Sequence, residues 1–131
     1  MTVTLINPKD LAAPRGYSHG AMGSGRVLYV AGQIGWDEQG RFVSDDLVAQ
    51  FERALASVVR VLHEAGARPE DVLKLNLYVL DKREYQARSR DIGAAYRKHM
   101  GRHFPAMTLA EVKGLFDEGA KVEIEAVAVV P

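Results

Sequence analysis

Glu123 and Glu125 sit in a β-rich run, residues 121–130, where period two places both on one face with Val127 and Val129. Val122, Ile124, Ala126 and Ala128 take the other face. Carboxylates on an otherwise apolar face need a reason. Either they pair with a basic residue across strands, or they do acid–base work, because partial burial lifts a carboxyl pKa towards the range in which it can exchange protons. Other chemistry is poorly provided for. The four histidines, His19, His63, His99 and His103, lack the tight spacing and carboxylate company of a metal motif, so no metal site is expected. With no cysteine, a disulfide framework, a thiolate zinc site and a cysteine nucleophile are excluded. The glycines of residues 16–25 are not followed by the lysine and helix of a phosphate-binding loop, and read as turns. Arg83, Arg88, Arg90, Arg97, Lys98 and Arg102 form a basic stretch, which reads as a solvated face, with an RNA-facing stripe as the alternative.

The elements that must position these groups follow from periodicity. Residues 3–6 are a short apolar segment, and residues 7–16 read as a loop. Residues 19–22 and 27–34 flank Gly23-Ser24-Gly25, which predicts a hairpin, and residues 35–40 break the pattern in a loop. From Leu47 to Ala65 apolar residues recur at helical spacing, with Ser44 or Asp45 as cap and Gly66 as stop. In residues 71–80 the period is two, with Leu73, Leu75, Leu77 and Val79 on one face. Asp81 followed by Glu84 resembles a capping box for a second helix with a stripe of Tyr85, Ile92 and Tyr96, ended by Gly101. Residues 106–112 and 121–130 supply the last strands. The order predicts an α+β fold, a mixed β-sheet with two helices packed on one face. In so small a chain the opposite sheet face is expected to be covered by self-association.

With 131 residues, 47% apolar and 26% charged, residues 1–131 are expected to form a single domain. The formal net charge is zero, so nucleic acid is not an expected partner. No stretch approaches the roughly 20 apolar residues of a membrane span, and residues 1–10 lack a basic segment followed by an apolar run. No membrane association is expected, and the simplest location is cytoplasmic.

Residues 16–20, Gly-Tyr-Ser-His-Gly, and residues 28–35, Leu-Tyr-Val-Ala-Gly-Gln-Ile-Gly, resemble the paired N-terminal signatures of the reactive intermediate deaminase (RidA) family, PYS and a strand ending SGQ. Phe104-Pro105-Ala106 resembles its FPAR region, and residues 122–126 match its VEIEA signature. The resemblance implies a chorismate-mutase-like subunit, a homotrimer, and a small-molecule metabolite held in a cleft between subunits. It also implies cofactor-free hydrolysis of a reactive enamine or imine, such as 2-aminoacrylate, to the ketoacid and ammonia. On the matched positions, Glu123 is the candidate catalytic carboxyl. Tyr17 and Gly32 are candidate substrate-binding residues, with Gln33 and Trp36 lining the same mouth. Met107 stands where the family has the arginine that pairs with a substrate carboxylate, and a thioether cannot replace that anchor. The cleft then holds a less acidic or more apolar ligand against Met107, or another cation serves, with Arg15, Arg88, Arg90, His99 and His103 as candidates. Three functions stay open: a hydrolytic deaminase, a ligand-binding or interaction module that kept the trimer, and the ribonuclease or translation inhibitor of older family labels, which zero net charge opposes.

Overall fold

The structure is a computed structural model that describes residues 3–131. Met1 and Thr2, the start of the segment read as carrying no leader, lie outside the described residues. Strands β1 (Val3–Ile6) and β2 (Gly20–Gly23) form a two-stranded antiparallel ribbon. Strands β3 (Arg26–Gln33), β4 (Val72–Val79), β5 (Ala106–Glu111) and β6 (Val122–Val130) form a mixed sheet in the order β3-β6-β4-β5. β6 runs antiparallel to both its neighbours, and β5 pairs parallel with β4.

Helix α1 (Leu47–Glu64) forms because its apolar stripe can be buried whole: Leu47, Phe51, Ala54, Leu55, Val58 and Leu62 are all buried. Its cap is Asp46, one residue beyond the expected pair, whose carboxylate accepts from the Ala49 amide at 3.0 Å. Ser44 serves that cap indirectly, its hydroxyl accepting from the Asp46 amide at 2.9 Å. The second helical region divides at Arg88 into α2 (Lys82–Ala87) and α3 (Ser89–Met100). Asp81 caps α2 by accepting from the Arg83 and Glu84 amides, and α3 ends at Gly101, whose φ of 63° favours glycine. Ile92 and Tyr96 are buried in one core with α1 and with Val122, Ile124, Ala126 and Ala128 of β6.

Buried Gln50 joins helix to sheet. Its amide nitrogen donates to the carbonyls of Ser44 and Gly119, and its oxygen accepts from the Lys121 amide at 2.8 Å, fixing the start of β6 two residues before Glu123. Gly35 lets the helix approach, since a Cβ there would lie 2.6 Å from Gln50 Cα.

Two expectations are corrected. β2 does not form a hairpin with β3: it pairs with β1, and β3 pairs with β6. The glycine link carries the chain from the ribbon into the sheet, with Gly25 (φ 143°) so close to the Val130 backbone that any Cβ would collide with it. In β4, Val72 and not Leu73 is fully buried. Pairing with β6 steps from Val72↔Ala128 to Lys74↔Val127, so Leu73 is the extra residue of a bulge. On the sheet face away from the helices Val129 is only 3% exposed, whereas on β3 its partner Val27 lies open at 58% and Tyr29, the partner of Val127, at 78%. Among the described residues no helix is long and apolar enough to cross a membrane.

Candidate functional site

The N-terminal loop is stitched to the start of β5 through buried Ser18. Its amide donates to the Pro105 carbonyl at 3.0 Å and its hydroxyl to the Phe104 carbonyl at 2.6 Å. The His19 ring donates to the Ala12 carbonyl, and the His19 amide donates to the Asn7 side chain. The tyrosine–serine and Phe-Pro-Ala motifs, far apart in sequence, are thereby held together. Tyr17 and Met107 both line one pocket of about 630 Å³, between β4 and β5 on one side and α2 and α3 on the other.

The pocket is mostly apolar. Tyr96 stacks on Phe104 with ring centroids 5.3 Å apart and donates its hydroxyl to the His103 carbonyl at 2.6 Å. Tyr85 lines the same wall, and its hydroxyl has no hydrogen-bond partner among the described residues. Burial pushes the Tyr85 phenol up to about 12 and the Tyr96 phenol further up, so both stay neutral donors near neutral pH.

Glu123 lies on the other face of the sheet, paired across strands with Tyr78, while Met107 is paired with Leu75 on the core face. The Glu123 carboxylate rests on Gly32 so closely that a Cβ at position 32 would overlap it. It makes no hydrogen bond or ion pair among the described residues. Burial, then repulsion from Glu125 and Asp117, raises its pKa above the ordinary 4.5. Glu125 is differently placed, accepting from the Tyr78 hydroxyl at 2.6 Å and from the Asn76 amide at 3.3 Å. One carboxyl is committed to neighbours and the other is free to exchange a proton.

The remaining candidates make other contacts. Gln33 donates to the Ala31 carbonyl at 3.1 Å, at the bulge where pairing with β6 steps from Val30↔Ala126 to Gln33↔Ile124. Trp36 packs against Phe42 with ring centroids 6.3 Å apart, and its carbonyl accepts from Arg53 Nε at 3.1 Å. Among the candidate cations, Arg88 is paired with Asp46 and Asp91, His99 contacts Glu52, and His103 donates to the Val72 carbonyl. Arg15 lines the pocket, and so does Arg97, which sequence reasoning had assigned to a solvated face. The signal for Arg97 was present as spacing. Ser89, Gly93 and Arg97 recur every four residues and form one line along α3 beside the pocket. Among the described residues no three His, Cys, Asp or Glu side chains are grouped to hold a metal ion.

This strand order, with helices on one sheet face, defines a chorismate-mutase-like α+β fold. A Rid-family protein of unknown function from Yersinia pestis superposes with a TM-score of 0.89 at 34% identity, covering 99% of this chain and all of that one. A RutC family protein of Pyrococcus abyssi is 33% identical over 98% of both chains. The 2-iminobutanoate/2-iminopropanoate deaminase of Salmonella typhimurium is 30% identical, again over 98% of both. The family model described as endoribonuclease L-PSP matches residues 8–130. The chain belongs to the RidA family.

Proposed function

We propose that this chain is a cytoplasmic, cofactor-free hydrolase of an enamine or imine, acting as a homotrimer whose clefts lie between neighbouring subunits. The observation that carries the reading is the Glu123 carboxyl, unpaired and raised in pKa, seated on Gly32 beside a carboxylate already held by Tyr78 and Asn76. The deaminase name of the Salmonella relative supports it.

The chemistry needs only proton transfers and a positioned water. An enamine tautomerises to the imine by gaining a proton at carbon and losing one at nitrogen. Water then adds to the C=N carbon, and the carbinolamine expels ammonia as its hydroxyl proton leaves, giving the carbonyl. Glu123 gives and takes these protons, which a carboxyl with a raised pKa can do near neutral pH. Within one chain the sheet separates Glu123 from the pocket of Tyr17 and Met107. The reading therefore sets the Glu123 face of one subunit against the pocket of the next, across the exposed Val27 and Tyr29.

The test is ammonia release from enamines generated in situ. Glu123→Gln is expected to lower kcat by about 10²- to 10⁴-fold with little change in KM. Unchanged turnover in that variant would refute the carboxyl's role. No turnover by the wild type on any imine would favour a binding module that kept the family cleft, a reading motivated by Met107.

A further inference from the structure

The pocket holding Tyr17 and Met107 has a chemistry of its own. Its floor and walls are Leu77, Ile92, Phe104, Met107 and Leu109, and its volume of about 630 Å³ is far more than a three- or four-carbon acid would fill. Met107 adds apolar surface at the position where the family carries a charge, and the pocket also lies along Gly93, which has no side chain to narrow it.

The charge missing from position 107 is present elsewhere on the rim. Arg15 and Arg97 both line the pocket, both are exposed, and neither has an ion-pair partner among the described residues. Neighbouring cations are committed, Arg88 to Asp46 and Asp91 and Lys98 to Glu52. Arg97 folds back along its helix, with Nη1 3.3 Å from where a Cβ on Gly93 would stand. A side chain at position 93 would crowd the guanidinium in that position. Tyr85, with its unpartnered hydroxyl, and Ser89 add neutral donors along the same wall.

We infer that this pocket takes a carboxylic acid with a bulky apolar side chain, aromatic or branched, with its apolar body against Met107, Ile92 and Leu109 and its carboxylate at the rim on Arg97, with Arg15 as the second cation. The inference rests on the proposed deaminase reading for its substrate, the imine of such an acid, and adds the class of side chain and the anchor. An arginine at the rim leaves the floor free for apolar bulk, whereas an arginine on β5 would occupy it. The selectivity is therefore turned away from the smallest imino acids.

The test is equilibrium binding by calorimetry to the assembled protein, using stable 2-oxo acids that match the products. Phenylpyruvate and 4-methyl-2-oxopentanoate are compared with pyruvate, and phenylacetone serves as the uncharged control. Phenylpyruvate is expected to bind at least about tenfold more tightly than pyruvate. Arg97→Gln is expected to weaken phenylpyruvate about tenfold while hardly moving phenylacetone, and Arg15→Gln to do the same to a smaller degree. Pyruvate binding as tightly as phenylpyruvate, or phenylpyruvate indifferent to both arginine variants, would overturn the inference. Glu123-dependent ammonia release from small imines together with no binding of phenylpyruvate would sink this inference and leave the deaminase reading standing. Arginine-dependent phenylpyruvate binding with no turnover of any imine would uphold the pocket's specificity and sink the deaminase reading instead.

Discussion

On the helix side of the sheet, Met107 stands in a wall of aromatic and aliphatic side chains whose charges are confined to the rim. On the open side, two strands away, Glu123 stands over a glycine with another carboxylate for company. The first region can hold an apolar body and orient it, but its lining carries no carboxyl or imidazole to move a proton. The second can move a proton, but a shallow sheet face has little to grip. Each has the property the other lacks, and in a single chain the sheet keeps them apart. Tyr29 is exposed on that open side, and under the proposed function its surface is where another copy would bring the missing half.

The largest effect should come from breaking the contact that would join the halves. Val27→Asp with Tyr29→Asp places charge on the open face without touching the core, since both residues are exposed. The variant is expected to sediment as a folded monomer and to lose essentially all turnover. Persistence of the trimer would show that the subunits meet elsewhere.

Met107→Arg sharpens the contrast from the pocket side. It should bring a cation to the floor, raising kcat/KM for 2-aminoacrylate by about tenfold or more and lowering it for imines of bulky acids, as competition between the two substrates would measure. An equal change for both would mean that Met107 does not face the ligand.

The smallest effect concerns stability and runs opposite to activity. Glu123 has a folded pKa above 4.5, so its contribution is most favourable below about pH 4.5, where it is protonated folded or unfolded, and that favour is lost as pH rises through the folded value. Glu123→Gln, neutral throughout, is expected to melt a few degrees above wild type near neutral pH and to match it near pH 4 in calorimetric scans. A lower melting temperature near neutral pH would mean that the carboxylate has a stabilising partner in the assembly.

The two regions were unequally legible in the sequence. Period two in residues 121–130 and the glycine of the β3 motif made the Glu123 side readable, because alternation assigns a face directly and a match on a strand carries its orientation with it. Helical spacing likewise gave α1 and the stripe of Tyr85, Ile92 and Tyr96. Strand partners were less accessible. Alternation says which way a side chain points and nothing about which strand lies beside it, so the glycine link before β3 resembled a hairpin while β1 waited to pair with β2. The pocket was least legible, since it exists only where α2 and α3 meet β5 and where Ser18 draws Tyr17 onto Phe104 and Pro105. Arg97 looked like one more solvated base because its value depends on Gly93, one turn earlier, and on what stands opposite.

Mixing two inactive variants asks whether a pocket from one copy and a carboxyl from another make one site. Glu123→Gln removes the proton-transferring group, and Gly93→Trp fills the pocket. Each alone should be inactive, and co-expression in equal amounts should restore about a quarter of the wild-type turnover, because that share of clefts receives an intact pocket from one variant and an intact carboxyl from the other. No recovery, with mixed trimers demonstrated by native mass spectrometry, would rule out a site shared between copies and return both groups to a single chain.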